Sequence, residues 1–89
     1  MTIVVDARGL PCPTPVIRAA LAAQDAEPGT VLEIWWTDPA ADTDIPVWAR
    51  MRGHTVLGSE SLADADRETP SGDGGSARVT RIRVGTGGR

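Results

Sequence analysis

Two periods of hydrophobic patterning alternate along this chain, and the switches between them mark the boundaries of its elements. Short runs rich in β-branched and aromatic residues predict four strands, at residues 2–6, 30–37, 54–61 and 78–84. Apolar positions at helical spacing predict two helices, at residues 13–24 and 40–53. The resulting order, β-α-β-α-β-β, favours an α/β two-layer sandwich in which a four-stranded mixed sheet carries both helices on one face.

The apolar side chains of these elements indicate which faces form the core. The predicted stripe of the first helix consists of Val16, Ile17, Ala20, Leu21 and Ala23. The second strand becomes continuously apolar towards its end, which is typical of a central strand. Because successive strand side chains point to opposite faces, either Trp35 or Trp36 should face the less buried side. We expect these residues and Trp48 to supply the aromatic part of the core, since the chain has no Phe or Tyr.

The length of the chain suits one domain with a single core, here residues 1–89. Residues 62–77 are rich in Asp, Glu, Ser and Gly, a composition that predicts a flexible loop. Residues 85–89 contain three glycines and predict a flexible tail.

The only cysteine, Cys12, lies between two predicted elements in the sequence Pro11-Cys12-Pro13-Thr14-Pro15. Proline is tolerated in the first turn of a helix and disfavoured in its interior, so Pro13 and Pro15 place Cys12 at or just before the first helix. The free N–H groups and the positive dipole end of a helix favour a thiolate there. A buried, inert cysteine is the alternative, but a turn flanked by prolines usually lies at the surface.

Charge and cysteine content narrow the classes of function. The formal net charge is −3, from nine basic and twelve acidic residues, which argues against a nucleic-acid binder because phosphate contacts need a basic face. A single cysteine excludes an internal disulfide, and one cysteine with one histidine falls short of a zinc site, so we expect no metal and no other cofactor.

The N-terminus lacks the pattern of a signal peptide, and no apolar run is long enough to span a bilayer. We therefore expect a cytoplasmic protein.

Four blocks of residues resemble the TusA/SirA sulfur-carrier family. They are Asp6-x-Arg8-Gly9-Leu10-x-Cys12-Pro13-x-Pro15, Thr37-Asp38-Pro39, Asp44-Ile45-Pro46-x-Trp48 and Gly53-His54. Together they cover residues 3 to about 61, and the last strand matches by position. The resemblance implies that Cys12 carries a persulfide, which it accepts from a cysteine desulfurase or rhodanese-type donor and relays to an acceptor protein. The pathways it implies are tRNA thiolation, cofactor synthesis or sulfur metabolism.

Three further residues are candidates for supporting Cys12. Arg8 and Arg18 are candidates for stabilising an anion or docking a partner, with solvated surface arginines as the alternative. Asp38 ends the second strand, at the sheet edge where the sites of open sheets tend to lie. The resemblance makes Asp38 a candidate for the surface around Cys12, and the alternative is a turn that starts the second helix.

Two residues of the later blocks are assigned structural roles. Asp44 belongs to the sequence that starts the second helix. The only histidine, His54, begins a different strand from the one before Cys12, and a catalytic base must touch its nucleophile. We therefore expect His54 to be structural.

Two other function classes are open. The chain lacks a resolving cysteine and an obvious base, so the main alternative is a small regulatory or interaction domain, with Cys12 as a redox sensor or without chemistry. Gly87-Gly88 is similar to the C-terminal Gly-Gly of ubiquitin-like sulfur carriers, but Arg89 follows it and the order of elements is wrong for that fold. The favoured interpretation is a monomeric sulfur carrier that acts as a relay rather than as a free-standing enzyme.

Overall fold

The computed structural model describes residues 1–62 and 77–85. Its elements are β1 (Thr2–Ala7), α1 (Thr14–Asp25), β2 (Val31–Trp36), α2 (Ala41–Met51), β3 (Thr55–Ser61) and β4 (Arg78–Arg83). The predicted order is confirmed, with boundaries that differ by a residue or two. The predicted loop at 62–77 and tail at 85–89 lie outside the described residues except at their ends. Within the described ranges, neither helix has the length and apolar character needed to cross a membrane.

The four strands form one mixed sheet in the order β1-β2-β4-β3. β1 pairs with β2 in parallel, and β4 pairs antiparallel with both β2 and β3. The second strand is therefore central, as predicted. Because β1 and β2 are parallel and each is followed directly by a helix, α1 and α2 both begin at the same edge of the sheet. This edge carries the loop that contains Cys12.

The core lies between the helices and one face of the sheet. Ile34 of β2 and Ile82 of β4 are fully buried in a cluster that also contains Ala19 of α1 and Ile45 of α2. Since one cluster contains residues of both helices, both helices cover the same face. This confirms the predicted two-layer arrangement.

The predicted apolar stripe of α1 is only partly correct. Ile17 and Leu21 point to solvent, with 52% and 57% of their surface exposed. The buried positions are Pro15 and Ala19, flanked by the partly buried Val16, Ala22 and Ala23. In a hydrophobicity pattern large Ile and Leu outweigh Ala and Pro, but a helix packed densely on a sheet accommodates small side chains at the contact. The hydrophobicity pattern therefore placed the buried face of α1 on the side that carries Ile17 and Leu21, which the structure exposes to solvent.

The adjacent tryptophans of β2 point to opposite faces of the sheet, as predicted. Trp36 is 3% exposed on the helix side, and its Nε1–H donates to Thr80 Oγ1 at 2.8 Å. Trp35 lies on the other face, where the Arg8 guanidinium stacks 4.9 Å from the centre of its ring. Trp48 of α2 packs against the core and is partly buried. Trp36 and Trp48 thus belong to the core layer, whereas Trp35 covers the second face of the sheet.

Candidate functional site

Cys12 lies in the loop that joins β1 to α1, at the sheet edge where both helices begin. The Thr14 amide donates to the Pro11 carbonyl at 3.0 Å, which closes a turn around the cysteine. Pro13 precedes the first helical residue and Pro15 occupies the first turn, as the sequence predicts. Cys12 itself is half-buried. The residue packs against the core cluster and is neither fully buried nor fully solvated.

The end of β2 anchors this loop. Thr37 Oγ1 accepts a hydrogen bond from the Gly9 amide at 2.9 Å, and Asp38 Oδ2 accepts one from the Cys12 amide at 2.9 Å. The second carboxylate oxygen, Asp38 Oδ1, accepts from the Ala40 amide at 3.0 Å, just before α2. Asp38 therefore fills both roles that the sequence leaves open, because it helps to start α2 and also contributes to the surface around Cys12.

Asp38 is ionised at neutral pH. The amides of Ala40 and Cys12 donate to its carboxylate and hold the pKa of that carboxyl below its usual value. The Cys12 loop is thus fixed by a charge-assisted hydrogen bond to Asp38, which follows β2 at the same edge of the sheet.

The surroundings of the Cys12 sulfur favour a thiol over a thiolate. Burial raises the pKa of the Cys12 thiol, and the negative charge of the Asp44 carboxylate raises it further. The charge of Asp38 acts in the same direction. The prediction that the start of the helix would favour a thiolate is therefore wrong.

The start of α1 offers the sulfur few free donors, which explains this outcome. Pro13 and Pro15 have no N–H group. The Thr14 amide is bonded to the Pro11 carbonyl. Burial of the thiol and the charges of Asp44 and Asp38 then act against what remains of the positive end of the helix dipole.

Arg8, one of the two predicted supporting arginines, pairs with Asp6, and neither arginine is among the charged groups that shift the pKa of Cys12. Arg8 forms two hydrogen bonds with that carboxylate, from Nε to Oδ1 at 2.8 Å and from Nη2 to Oδ2 at 2.7 Å. These bonds lower the pKa of Asp6, and the charge of Arg18 lowers it further by a smaller amount. Among the described residues, the groups that shift the pKa of Cys12 are therefore carboxylates and not arginines. A role of Arg8 or Arg18 in docking a partner stays a prediction.

His54 lies at the opposite end of the helix layer from Cys12, because it follows the end of α2 whereas Cys12 precedes the start of α1. It is 8% exposed, and its Nδ1 accepts a hydrogen bond from the Gly85 amide at 3.0 Å. Its ring centre lies 5.1 Å from that of Trp48. Burial and the charge of Arg52 lower the pKa of His54. These contacts are structural, and they do not place His54 as a base for the cysteine.

Asp44 is the site residue that the sequence reasoning does not find. The sequence assigns it to the start of the second helix, yet its negative charge raises the pKa of the Cys12 thiol. The signal for this effect is indirect. It requires the parallel pairing of β1 with β2, which brings the first turn of α2 to the edge that carries Cys12.

Comparison with known proteins places this sequence in a family. The sequence profile described as Sulfurtransferase TusA matches residues 3–67. YrkF of Bacillus subtilis is 43% identical over 67% of this chain, but the match spans only 32% of YrkF. YrkI of the same organism is 41% identical over 61% of this chain and 72% of its own length. The sulfur carrier protein TusA of Pseudomonas aeruginosa is 35% identical over 67% of this chain and 76% of its own length.

The matched range contains all four blocks on which the resemblance was based. It also contains Cys12, Asp38 and Asp44. The resemblance is thereby confirmed. The chain belongs to the TusA family.

Proposed function

We propose that this protein is a sulfur carrier, which accepts sulfane sulfur on Cys12 as a persulfide and relays it to an acceptor protein. The observation that carries the proposal is the Cys12 loop, in which a half-buried thiol is held at the sheet edge by Asp38 in a chain of the TusA family. The relative from Pseudomonas aeruginosa is named a sulfur carrier protein. The donor in this proposal is a cysteine desulfurase or a rhodanese-type protein. The acceptor serves tRNA thiolation, cofactor synthesis or sulfur metabolism.

Loading of the carrier is an exchange between a thiol and a persulfide. The Cys12 sulfur attacks the terminal sulfur of the donor's persulfide, so that an S–S bond forms on Cys12 while the S–S bond of the donor breaks. The donor leaves as a thiolate, and the proton of the Cys12 thiol passes to that thiolate or to water. No oxidant or reductant is consumed. Unloading repeats the exchange, with the Cys12 sulfur as the leaving group.

The absence of a second cysteine suits such a relay. A persulfide next to another thiol of the same chain is lost when the two form a disulfide. This chain has one cysteine, so the sulfur stays on Cys12 until a partner collects it. The protein then works as a monomeric relay in the cytoplasm, where thiols are kept reduced, and it needs no cofactor besides the transient persulfide.

The test is the intact mass of the full chain after incubation with a cysteine desulfurase, pyridoxal phosphate and cysteine. We expect an adduct of one sulfur atom that reductant removes and that is absent from Cys12→Ser. The absence of an adduct with both desulfurase and rhodanese donors contradicts the proposal. In that case, formation of a sulfenic acid with peroxide identifies Cys12 as a redox sensor. An adduct that persists in Cys12→Ser places the sulfur elsewhere in the chain.

A further inference from the structure

A cavity of about 250 Å³ lies at the end of the helix layer opposite to Cys12. Its wall includes Ala23 from the end of α1, Trp48 and Arg52 from the end of α2, and His54, which follows α2. An apolar cavity of about 150 Å³ is large enough to hold a benzene ring. The space at this end of the fold is therefore sufficient for a small organic molecule.

Part of the wall is apolar. Ala20 and Ala23 stand one turn apart on α1, and both line the cavity together with the Trp48 indole. Ala23 and Trp48 are partly buried and pack against the same core cluster. Because alanine side chains are short, they leave room beside the indole for an apolar ring or chain.

The orientation and the protonation of His54 are set by its neighbours. Its Nδ1 accepts a hydrogen bond from the Gly85 amide at 3.0 Å, and its ring centre lies 5.1 Å from that of Trp48. An amide N–H is only a donor, so Nδ1 carries no proton and the neutral ring has its proton on Nε2. Burial and the charge of Arg52 lower the pKa of His54, so the ring is neutral at pH 7. Nε2–H is thus the donor of this ring that the bond to Gly85 does not use.

Arg52 gives the cavity a positive charge. It is the C-cap residue of α2, and among the described residues that line the cavity it is the one charged side chain. Within residues 1–62 and 77–85, none of the ion pairs involves Arg52. The chain as a whole carries a net charge of −3. The cavity is therefore a local positive site on an acidic protein, which favours an anion over a cation.

We propose that this cavity binds a small organic anion, with its apolar ring or chain beside Ala23 and Trp48 and its acidic group towards Arg52 and His54. The oxygens of a carboxylate accept hydrogen bonds from a guanidinium and from an imidazole N–H, and such charge-assisted bonds are the stronger ones. The apolar wall selects an organic anion over a bare inorganic one. The site lies at the other end of the helix layer from Cys12, so the inference does not rest on the carrier function.

The first experiment titrates the ¹⁵N-labelled full chain at constant ionic strength with benzoate, hexanoate, benzyl alcohol and sulfate. We expect the amide signals of His54 and Gly85 to shift and to saturate with benzoate or hexanoate, with dissociation constants of about 0.1–10 mM for ligands of this size. The neutral benzyl alcohol should bind at least about fivefold more weakly, because it lacks the charge that Arg52 attracts. Sulfate should give no saturating shift, and the Cys12 amide should not respond to any of the four.

Each other result contradicts the proposal. If neither benzoate nor hexanoate produces saturating shifts, the cavity is not a site for an organic anion. Equal affinities for benzoate and benzyl alcohol would mean that charge plays no part in binding. Equal affinities for benzoate and sulfate would mean that the apolar wall plays none.

The second experiment repeats the titrations with three variants. Arg52→Gln should weaken benzoate binding about three- to tenfold and leave that of benzyl alcohol unchanged, because only the anion loses a charged partner. Arg50→Gln is the matched control, since Arg50 is exposed in the last turn of the same helix and does not line the cavity. Ala23→Leu fills part of the cavity and should abolish binding of both ligands.

An unchanged affinity for benzoate in Arg52→Gln, or an equal loss in Arg50→Gln, overturns the proposal. Full benzoate binding by a folded Ala23→Leu chain overturns it as well. The circular dichroism spectrum and melting curve of each variant show whether its fold is retained. The two arginine variants change exposed side chains, so their comparison decides the question even if Ala23→Leu does not fold.

Discussion

Asp38 ties Cys12 to the start of α2, because one carboxylate oxygen accepts from the Cys12 amide at 2.9 Å and the other from the Ala40 amide at 3.0 Å. The two residues come from different loops at one edge of the sheet. The position of the cysteine is therefore set by the end of β2 as well as by its own neighbours. A change at Asp38 should therefore alter the loop and, through the charge of this carboxylate, the pKa of the Cys12 thiol.

We expect Asp38→Ala to slow persulfide loading several-fold and to lower the midpoint of thermal unfolding, because two backbone N–H groups lose their acceptor. Asp38→Asn keeps one acceptor oxygen and should show smaller losses. Both variants remove the charge, so the difference between them reports the hydrogen bonds alone. The measurements are the rate of adduct formation by intact mass and a thermal melt followed by circular dichroism.

Asp42→Ala is the control for this series, since Asp42 is exposed in the first turn of the same helix. It should leave both the loading rate and the melting midpoint close to those of the wild type. Equal behaviour of Asp38→Ala and Asp42→Ala would show that the bonds of Asp38 do not organise the loop.

His54 should make the fold less stable in mildly acidic solution. Burial and the charge of Arg52 place the pKa of folded His54 below its ordinary value of 6.5, so the unfolded chain takes up a proton before the folded chain does. This contribution to stability is fully present above pH 6.5 and is lost as the pH falls through the folded pKa. We expect the free energy of unfolding in urea to decrease between about pH 7 and about pH 5.

His54→Asn tests the assignment of this pH dependence. The asparagine side chain does not titrate, and its oxygen is able to accept the Gly85 amide in place of Nδ1. The slope of stability against pH should therefore be smaller in the variant. Parallel slopes for the variant and the wild type would mean that another group causes the loss of stability.

Local rules predict most of the fold and the position of the cysteine. The φ restriction and the missing N–H group of Pro13 and Pro15 are properties of single residues, and they were enough to place Cys12 before a helix. Strand alternation was likewise enough to separate Trp35 from Trp36. Each of these inferences depends on residues that are close in sequence.

The chemistry of the sulfur was not predictable in the same way. It depends on the charge of Asp44, which acts on Cys12 because β1 and β2 pair in parallel and bring the first turn of α2 to the same edge. It also depends on Arg8, which pairs with Asp6 and is not among the charged groups that shift the pKa of Cys12. The pattern along the chain does not say which of several partners a charged side chain will choose, so these electrostatic effects required the structure.

The solvent-facing edge of α1 should tolerate polar residues. Because Ile17 and Leu21 are about half exposed, the double change Ile17→Gln and Leu21→Gln should lower the free energy of unfolding by no more than about 0.5 kcal/mol at each position. Ala19→Leu is the contrasting variant, since Ala19 is fully buried and overpacking a core costs about 1–3 kcal/mol. Urea denaturation measures both. A larger loss in the glutamine variant than in Ala19→Leu would place the buried face of α1 where the hydrophobicity pattern put it.

The bond between Trp36 and Thr80 should contribute to stability because both partners are buried, with 3% and 1% of their surface exposed. Thr80→Val keeps the shape of the side chain but leaves the Trp36 Nε1–H without its acceptor, which costs about 1–3 kcal/mol. In a Trp36→Phe background the donor is gone, so the same change should cost close to nothing. Urea denaturation of the four proteins, followed by circular dichroism, gives the coupling energy of the pair. Equal costs of Thr80→Val in the two backgrounds would show that the loss arises from packing around Thr80 and not from this hydrogen bond.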